Sequence, residues 1–434
     1  MGETVRGLPP AYWWLWGGTL VNRAGAFVIV FLAFYLTDGL GYSAAFAGVA
    51  LAAFGLGGTV ATVVGGVLAD RLGRRPLLLG ANVAAAVSLV GLGLVESRPA
   101  LVAWAAAYGF CGGLPRPAYA AMMADIVPPA SLVRAFALQY WAINLGFAVA
   151  PVLAGLLAQS GYLTLFLVDA STTLVFAAVV FWRLPESHPG LQGDAAPAAA
   201  ADAPAGSLTD VLRDRVFMTF AALVFGWALV FMQHASTLPV AMGDDGLSSQ
   251  QYGSVIALNG VLIVLVTVPL SRWLQRFPIS NVLALSCALT GVGYAATAWA
   301  HVPAAYAMTV VVWTVGEVVG AAVGPVLVAE LSPAAMRGRY QGMFGLAFGV
   351  AAFAAPLAGG LVYDGLGGTA LWLACGVIGL ATAVGHLLVA PAREARVREI
   401  RAGAEVPVGT DAVPVPVPRT LEEAEAATTP PSTS

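Results

Sequence analysis

Twelve apolar runs, each long enough to cross a lipid bilayer and separated by short polar turns, dominate this chain. A helix needs about 20 such residues to traverse the hydrocarbon layer. The runs lie at 12–37, 44–69, 76–96, 100–127, 135–158, 162–183, 216–240, 250–272, 279–300, 303–329, 339–363 and 369–390, and are numbered here as spans one to twelve. Unpaired backbone groups are too costly in lipid for any open structure, so only helices or a closed barrel can cross. A barrel would show segments of roughly ten residues with alternating polarity, and the chain has none. Charged residues make up 10% of the 434, against roughly 25% in soluble domains. The expected fold is therefore an all-α integral membrane protein of twelve transmembrane helices.

Arginine placement sets the expected topology. All 20 basic residues are arginine, a bias that reads as the codon usage of a GC-rich genome. With the N-terminus in the cytoplasm, 17 of the 20 fall on that side, Arg98 falls outside, and Arg23 and Arg116 lie within the membrane. The opposite loops carry acids instead: Asp38, Glu96, Asp244, Asp245 and Asp364. That asymmetry follows the positive-inside rule and places both termini in the cytoplasm. The first apolar run reads as a span, so no removable leader is expected.

Several function classes drop out. A net charge of −3 gives no nucleic-acid signal. Cys111, Cys287 and Cys375 sit inside apolar runs, and the four histidines are scattered, so neither a disulfide framework nor a metal site is expected. No phosphate-binding loop and no nucleophile–base pair stands out, which argues against an enzyme and against a nucleotide cofactor.

The chain divides in two. An Ala/Pro/Gly-rich linker, 185–215, separates an N-terminal six-helix half (1–184) from a C-terminal one (216–390), and a Pro-rich cytoplasmic tail (391–434) reads as disordered. The halves repeat each other. "ADIVPPASLVRAFALQYWAINLGFAVAPVLAG" at 124–155 aligns without gaps to "AELSPAAMRGRYQGMFGLAFGVAAFAAPLAGG" at 329–360, an offset of 205. Asp125 falls on Glu330, Arg134 on Arg339, Pro151 on Pro356 and Gly155 on Gly360. Duplicated halves are an architecture of secondary transporters, with the substrate site near the midplane between them.

Charge then gathers where it is least expected, in "GGVLADRLGRRPLLL" at 65–79. Asp70 ends span two, where an acid can face the positive N-terminal end of a neighbouring helix. Arg71, Arg74 and Arg75 are spaced so that at least one reaches an acid on another span.

These residues carry a resemblance. Gly66, Leu68, Asp70, Arg71, Gly73, Arg74 and Arg75 resemble the signature loop between spans two and three of the major facilitator superfamily. In span five, "NLGFAVAPVLAG" resembles the Gly-x-x-x-Gly-Pro-x-x-Gly-Gly motif of its proton-coupled exporters. Gly146, Pro151 and Gly155 match, while Ala150 and Ala154 replace two glycines. The likeness covers roughly residues 11–390. It implies a fold of two pseudo-symmetric halves, similar to twelve-span drug:proton antiporters. It also implies a conformational latch, with Asp70 near Arg339–Gly342 and Arg74 paired with Asp125, that holds the halves closed on the inner side. The second-half counterpart, "PLSRWLQRFP", keeps Arg272 and Arg276 but lacks the aspartate and glycine, so one latch is expected.

Polar groups at membrane depth cost roughly 2.5–3.5 kcal/mol each on insertion scales and are functional candidates by default. Glu317 lies near the middle of span ten; it carries either a coupling proton or a structural hydrogen bond beside Gly316 and Gly320. Arg116, between Pro115 and Pro117 in span four, can answer carbonyls freed by the prolines. An arginine in that span is linked to proton transfer in the exporters this chain resembles. Arg23 in span one is a cavity candidate, and Asp169 in span six is either its partner, that of Arg116, or a mouth residue. Asn22, Asn144, Gln233, His234 and Asn259 could line a substrate path or bond helix to helix.

The expected function is secondary active transport: proton-coupled export of small amphipathic or drug-like molecules from a bacterial cell, by alternating access in the plasma membrane. The alternative is proton-symport import of a sugar, amino acid or organic acid. The expected partners are a small-molecule substrate and the bilayer, with no nucleic acid, and a monomer suffices. A proton gradient supplies the energy in place of any cofactor.

Overall fold

The computed structural model describes residues 7–128, 131–187, 208–274, 276–333 and 336–405, and among these it contains helices and no strand. Eleven helices are long and apolar enough to cross a membrane. Span four, expected as one run over 100–127, is instead two shorter helices, Arg98–Gly113 and Pro115–Ile126. The physical reason is local: Pro115 and Pro117 bring no N–H to the ladder, and the chain bends where the bonds are missing.

Spans one and seven are interrupted too. Span one runs as Pro10–Ala24, then Val28–Phe34 and a wider turn over Tyr35–Gly39. Span seven runs as Arg215–Phe231, a short 3-10 turn at Met232–His234, then Thr237–Asp244. The remaining spans are Ala44–Leu72 (two), Arg74–Leu94 (three), Leu132–Leu157 (five), Tyr162–Arg183 (six), Ser249–Leu274 (eight), Ile279–Ala296 (nine), Pro303–Leu331 (ten), Arg337–Leu366 (eleven) and Gly368–Leu388 (twelve).

Two parts of the domain reading need correction. The linker at 185–215 includes a short helix, Leu208–Arg213. The tail expected to be disordered from 391 begins with a helix, Ala390–Glu405. That helix is pinned by Arg393, which is buried and donates to Ser280 Oγ of span nine and to the His386 carbonyl of span twelve. Residues 406–434 lie outside the described residues.

The halves meet along two seams, span two against span eleven and span five against span eight, and both are built on glycine. A Cβ on Gly48 would run into the Pro356 carbonyl, and one on Gly253 into the Pro151 carbonyl. Gly360 faces the Ala44 carbonyl as Gly155 faces that of Ser249. Gly55 and Gly260 close on Ala352 and Ala148 in the same way. The glycines of each pair are related by the 205-residue offset, although Ala352 and Ala148 are 204 apart, so the repeat extends over 44–55 and 249–260 as well. Small residues let helix backbones approach where lipid offers no hydrophobic driving force between helices.

This close packing belongs to one end. Phe27, Phe31 and Phe34 of span one pack with Leu238, Tyr252 and Tyr306 in one buried apolar cluster at the end of the molecule whose helix ends carry Asp38, Asp244 and Asp364. We call this the acidic end and the opposite one the arginine end. The span two–eleven contacts run from Ala44 to Thr59, whose hydroxyl donates to the Gly349 carbonyl at 3.1 Å. Farther toward the arginine end, no atom of the described residues lies within 4 Å of where a Cβ would stand on Gly66 or Gly342.

Candidate functional site

The arginine end holds the charged loop. Gly73 has φ +96°, a conformation that side chains with a Cβ rarely adopt, and it lets span two end and span three start without a connecting loop. Span three then begins with free N–H groups. Those of Arg74 and Arg75 donate to the two carboxylate oxygens of Glu186, at 3.0 and 3.1 Å. Arg74 Nε lies 3.3 Å from Asp125 Oδ2, an ion pair in contact but without hydrogen-bond alignment. Ser187 Oγ donates to the same oxygen at 2.8 Å. Arg75 donates to the Phe181 carbonyl, and its guanidinium stands over the Phe181 ring at 5.5 Å.

These contacts join the start of span three to Asp125 in span four, to Phe181 in span six and to Glu186 and Ser187 at the beginning of the linker. Arg71 is exposed, and no atom closes on Gly66. The side chains of Asp70 and of Arg337, at the start of span eleven, lie outside the described residues. Span eleven's first turn is held within its own half: Tyr340 donates to Asp214 Oδ2 at 2.9 Å.

Nearer the middle of the molecule, the two halves carry opposite charge. In the first half, Arg23 and Arg116 lie close enough to repel one another. Among the described residues neither makes an ion pair, and Arg23 Nε is buried with no hydrogen-bond partner. Arg116 is exposed. In the second half, Glu317 accepts a 2.7 Å hydrogen bond from Asn259 Nδ2, which also donates to Thr314 Oγ1 at 3.1 Å. Glu317 likewise makes no ion pair among the described residues. Tyr140 of span five, in the other half, and Tyr294 of span nine both lie within electrostatic reach of it. Gly316 and Gly320, its neighbours, turn onto Thr290 and Ser286 of span nine. Trp227 and Phe231 stack at 4.9 Å beside Trp313 and Phe348, an aromatic wall in the same half.

Other polar residues serve the helix breaks. Asp169 is buried and accepts from the Val28 N–H at 3.0 Å, so its carboxylate caps the restart of span one. It makes no ion pair with Arg23 or Arg116 among the described residues. Gln233 occupies the equivalent break in span seven. Its Nε2 donates to the Leu229 and Ala355 carbonyls while its Oε1 accepts from Ser236 and Thr237, which leaves no polar atom free. Asn144 is buried and donates to the Tyr140 carbonyl of its own helix. Asn22 donates to Thr173 Oγ1 of span six. His234 Nδ1 sits 2.7 Å from the Phe231 carbonyl, with its ring against Trp313.

The span-five motif divides its work. Gly146 gives Arg23 of span one room to pass, whereas Pro151 and Gly155 face span eight across the seam. Sequence reasoning missed Glu186, because its partners are more than a hundred residues away and nothing local marks it. It also missed Asp364, whose carboxylate accepts from the Ala44 and Ala45 N–H groups across the seam at 3.1 and 2.8 Å. A Ser one position before an apolar run was the available hint of a helix start at Ala44.

Known proteins share this plan. The chain is 27% identical to a Na(+), Li(+), K(+)/H(+) antiporter of Planococcus maritimus over 79% of its own length and 86% of the relative's. It is 26% identical to the multidrug resistance protein MdtH of Cronobacter sakazakii, covering 82% and 88% of the two chains. The crystal structure of a peptide transporter, POT, in complex with sulfate superposes with a TM-score of 0.75 at 17% identity, over 90% and 96% of the chains, a likeness of fold. The profile of the Major Facilitator Superfamily matches residues 15–248 and 234–426. With two six-span halves, seams that repeat in register and a profile spanning both halves, this chain is a transporter of the Major Facilitator Superfamily.

Proposed function

We propose that this transporter exports small amphipathic or drug-like molecules in exchange for protons, in a bacterial plasma membrane with both termini in the cytoplasm. On that orientation the arginine end is cytoplasmic. The span two–eleven seam is then closed toward the outside and open toward the cytoplasm, as in an inward-facing state. Glu317 is the observation that carries the reading. It is a carboxylate at membrane depth with Asn259 as its hydrogen-bond donor and no cation beside it among the described residues. Such a group changes charge on taking up a proton, and a ligand shifts a conformational equilibrium only through unequal affinity for its states. A proton and a cationic or amphipathic substrate would compete for this carboxylate beside the aromatic wall of Trp227, Phe231 and Phe348. The proton gradient supplies the energy, no cofactor is required, and a monomer suffices. The names of the two relatives point the same way.

A second reading rests on Arg23 and Arg116. Two guanidiniums that make no ion pair among the described residues suit an anionic or zwitterionic substrate, such as an organic acid or amino acid, taken up with protons. Everted vesicles with an acid interior separate the two. Addition of ethidium, other organic cations or Na⁺ should collapse the pH gradient if the chain is an antiporter. Silence with every compound, together with proton-driven uptake of an amino acid or organic acid in right-side-out vesicles, would make it an importer.

A further inference from the structure

The two seams are copies in register, yet they are not closed by the same chemistry. Spans two and eight start alike. Ser43 Oγ accepts from Phe46 N–H, and Ser248 Oγ accepts from Gln251 N–H, 205 positions on. The difference lies across the seam. In the first, Asp364 at the end of span eleven accepts from both Ala44 and Ala45 N–H, at 3.1 and 2.8 Å. With Ser43, it satisfies the donors of three successive residues in span two's first turn. In the second seam the equivalent of Asp364 is Gln159, whose Nε2 donates to the side-chain oxygen of Gln250 at 2.7 Å. Gln250 is itself the equivalent of Ala45.

A carboxylate on a helix N-terminus gains two charge-assisted hydrogen bonds and a favourable interaction with the helix dipole. A single bond between neutral amides gains neither. We propose that Asp364 is the dominant polar lock of the acidic end, a positioning residue that holds span two's N-terminus against span eleven and biases the transporter toward the state open at the arginine end. Gln159 and Gln250 set the register of the other seam and contribute little bias. The arrangement rests on the alternating-access reading above, but on neither the direction of transport nor the substrate.

Its test reads conformation directly. In a background with Cys111, Cys287 and Cys375 replaced by serine, spin labels go on Leu163 and Val302 at the acidic end. A second pair goes on Trp182 and Phe277 at the arginine end. Asp364→Ala should raise the population with a longer acidic-end distance about tenfold, the size of a lost helix cap. The arginine-end distance should shorten in step. Asp364→Asn, which keeps one acceptor and serves if the alanine variant folds poorly, should shift the same way by less. Gln159→Ala should move the ratio by under about threefold, the size of an average interhelical hydrogen bond in a membrane protein. Equal shifts in Gln159→Ala and the Asp364 variants would overturn the proposal. So would unchanged distances in the Asp364 variants, or an acidic end that loosens with no response at the arginine end.

Discussion

The acidic and arginine ends of the same seam use opposite means. At the acidic end, Gly48 and Gly253 press against backbone carbonyls, an apolar cluster fills the space between spans one and eight, and Asp364 clamps a helix start. At the arginine end, Gly66 and Gly342 meet no atom of the described residues, and the charged loop is tied to Asp125 of its own half and to Glu186 of the linker. Dry glycine contacts bring little individual energy and leave no charge stranded when they part. Arg74 and Arg75 of the loop keep buried guanidinium nitrogens without a hydrogen-bond partner among the described residues, so they can be redirected when the halves rock. A seam that must open and close repeatedly needs both properties.

Bulk on the two kinds of glycine breaks the comparison most severely. Gly253→Val places side-chain atoms on the Pro151 carbonyl. It should shift the equilibrium toward the acid-open state by more than about tenfold, as overpacking costs roughly 1–3 kcal/mol. Gly342→Val meets nothing in this state. It should leave thermal stability intact and yet impede closure at the arginine end, so the distance shifts of the two variants should have opposite signs. Shifts of one sign would mean that the ends are not coupled.

Asp169→Ala is next in size. The Val28 N–H would lose its buried acceptor, at a cost of about 1–3 kcal/mol. The variant should melt earlier while transport per folded molecule persists; loss of coupling with unchanged stability would give Asp169 a proton-carrying role instead. Asp125→Asn removes a partly exposed ion pair with Arg74, so transport should fall only about two- to fivefold unless the pair also serves the other state. Smallest is Arg396→Ala at the arginine end. Its 3.5 Å contact with Asp214 is partly exposed, and the melting temperature should move by under about 2 °C.

The membrane fold was legible because its signals are long-range averages: runs of apolar residues, the sidedness of arginine and a gap-free repeat. The repeat read at 124–155 and 329–360 did not reach Gly48 and Gly253, whose match shows only in the seam contacts. The Arg74–Asp125 approach came from the resemblance, not from the spacing. What escaped depends on contacts between distant positions. Asp169 read as a cavity charge because its target, the Val28 N–H, becomes a free donor only once span one breaks after Ala24. Gln233 read as either a lining residue or a helix-to-helix bond, and the second holds, its Nε2 donating to the Ala355 carbonyl of span eleven. Arg393 read as one more charge in a loose tail, whereas its burial beside Ser280 turns the tail's beginning into a helix. Pro115 and Pro117 were visible, but that they divide span four into two helices follows from the bonds they fail to make.

The account centres on Glu317 as the group that links the proton to the substrate. The decisive measurement compares wild type with Glu317→Gln in proteoliposomes, using ethidium or whichever compound collapses the gradient in vesicles. Two modes are followed: accumulation driven by a pH gradient, and exchange of labelled for unlabelled compound with no gradient. The account predicts that Glu317→Gln keeps exchange, because the halves still rock, but loses gradient-driven accumulation. Accumulation at the wild-type level in Glu317→Gln would contradict it and move the coupling proton elsewhere.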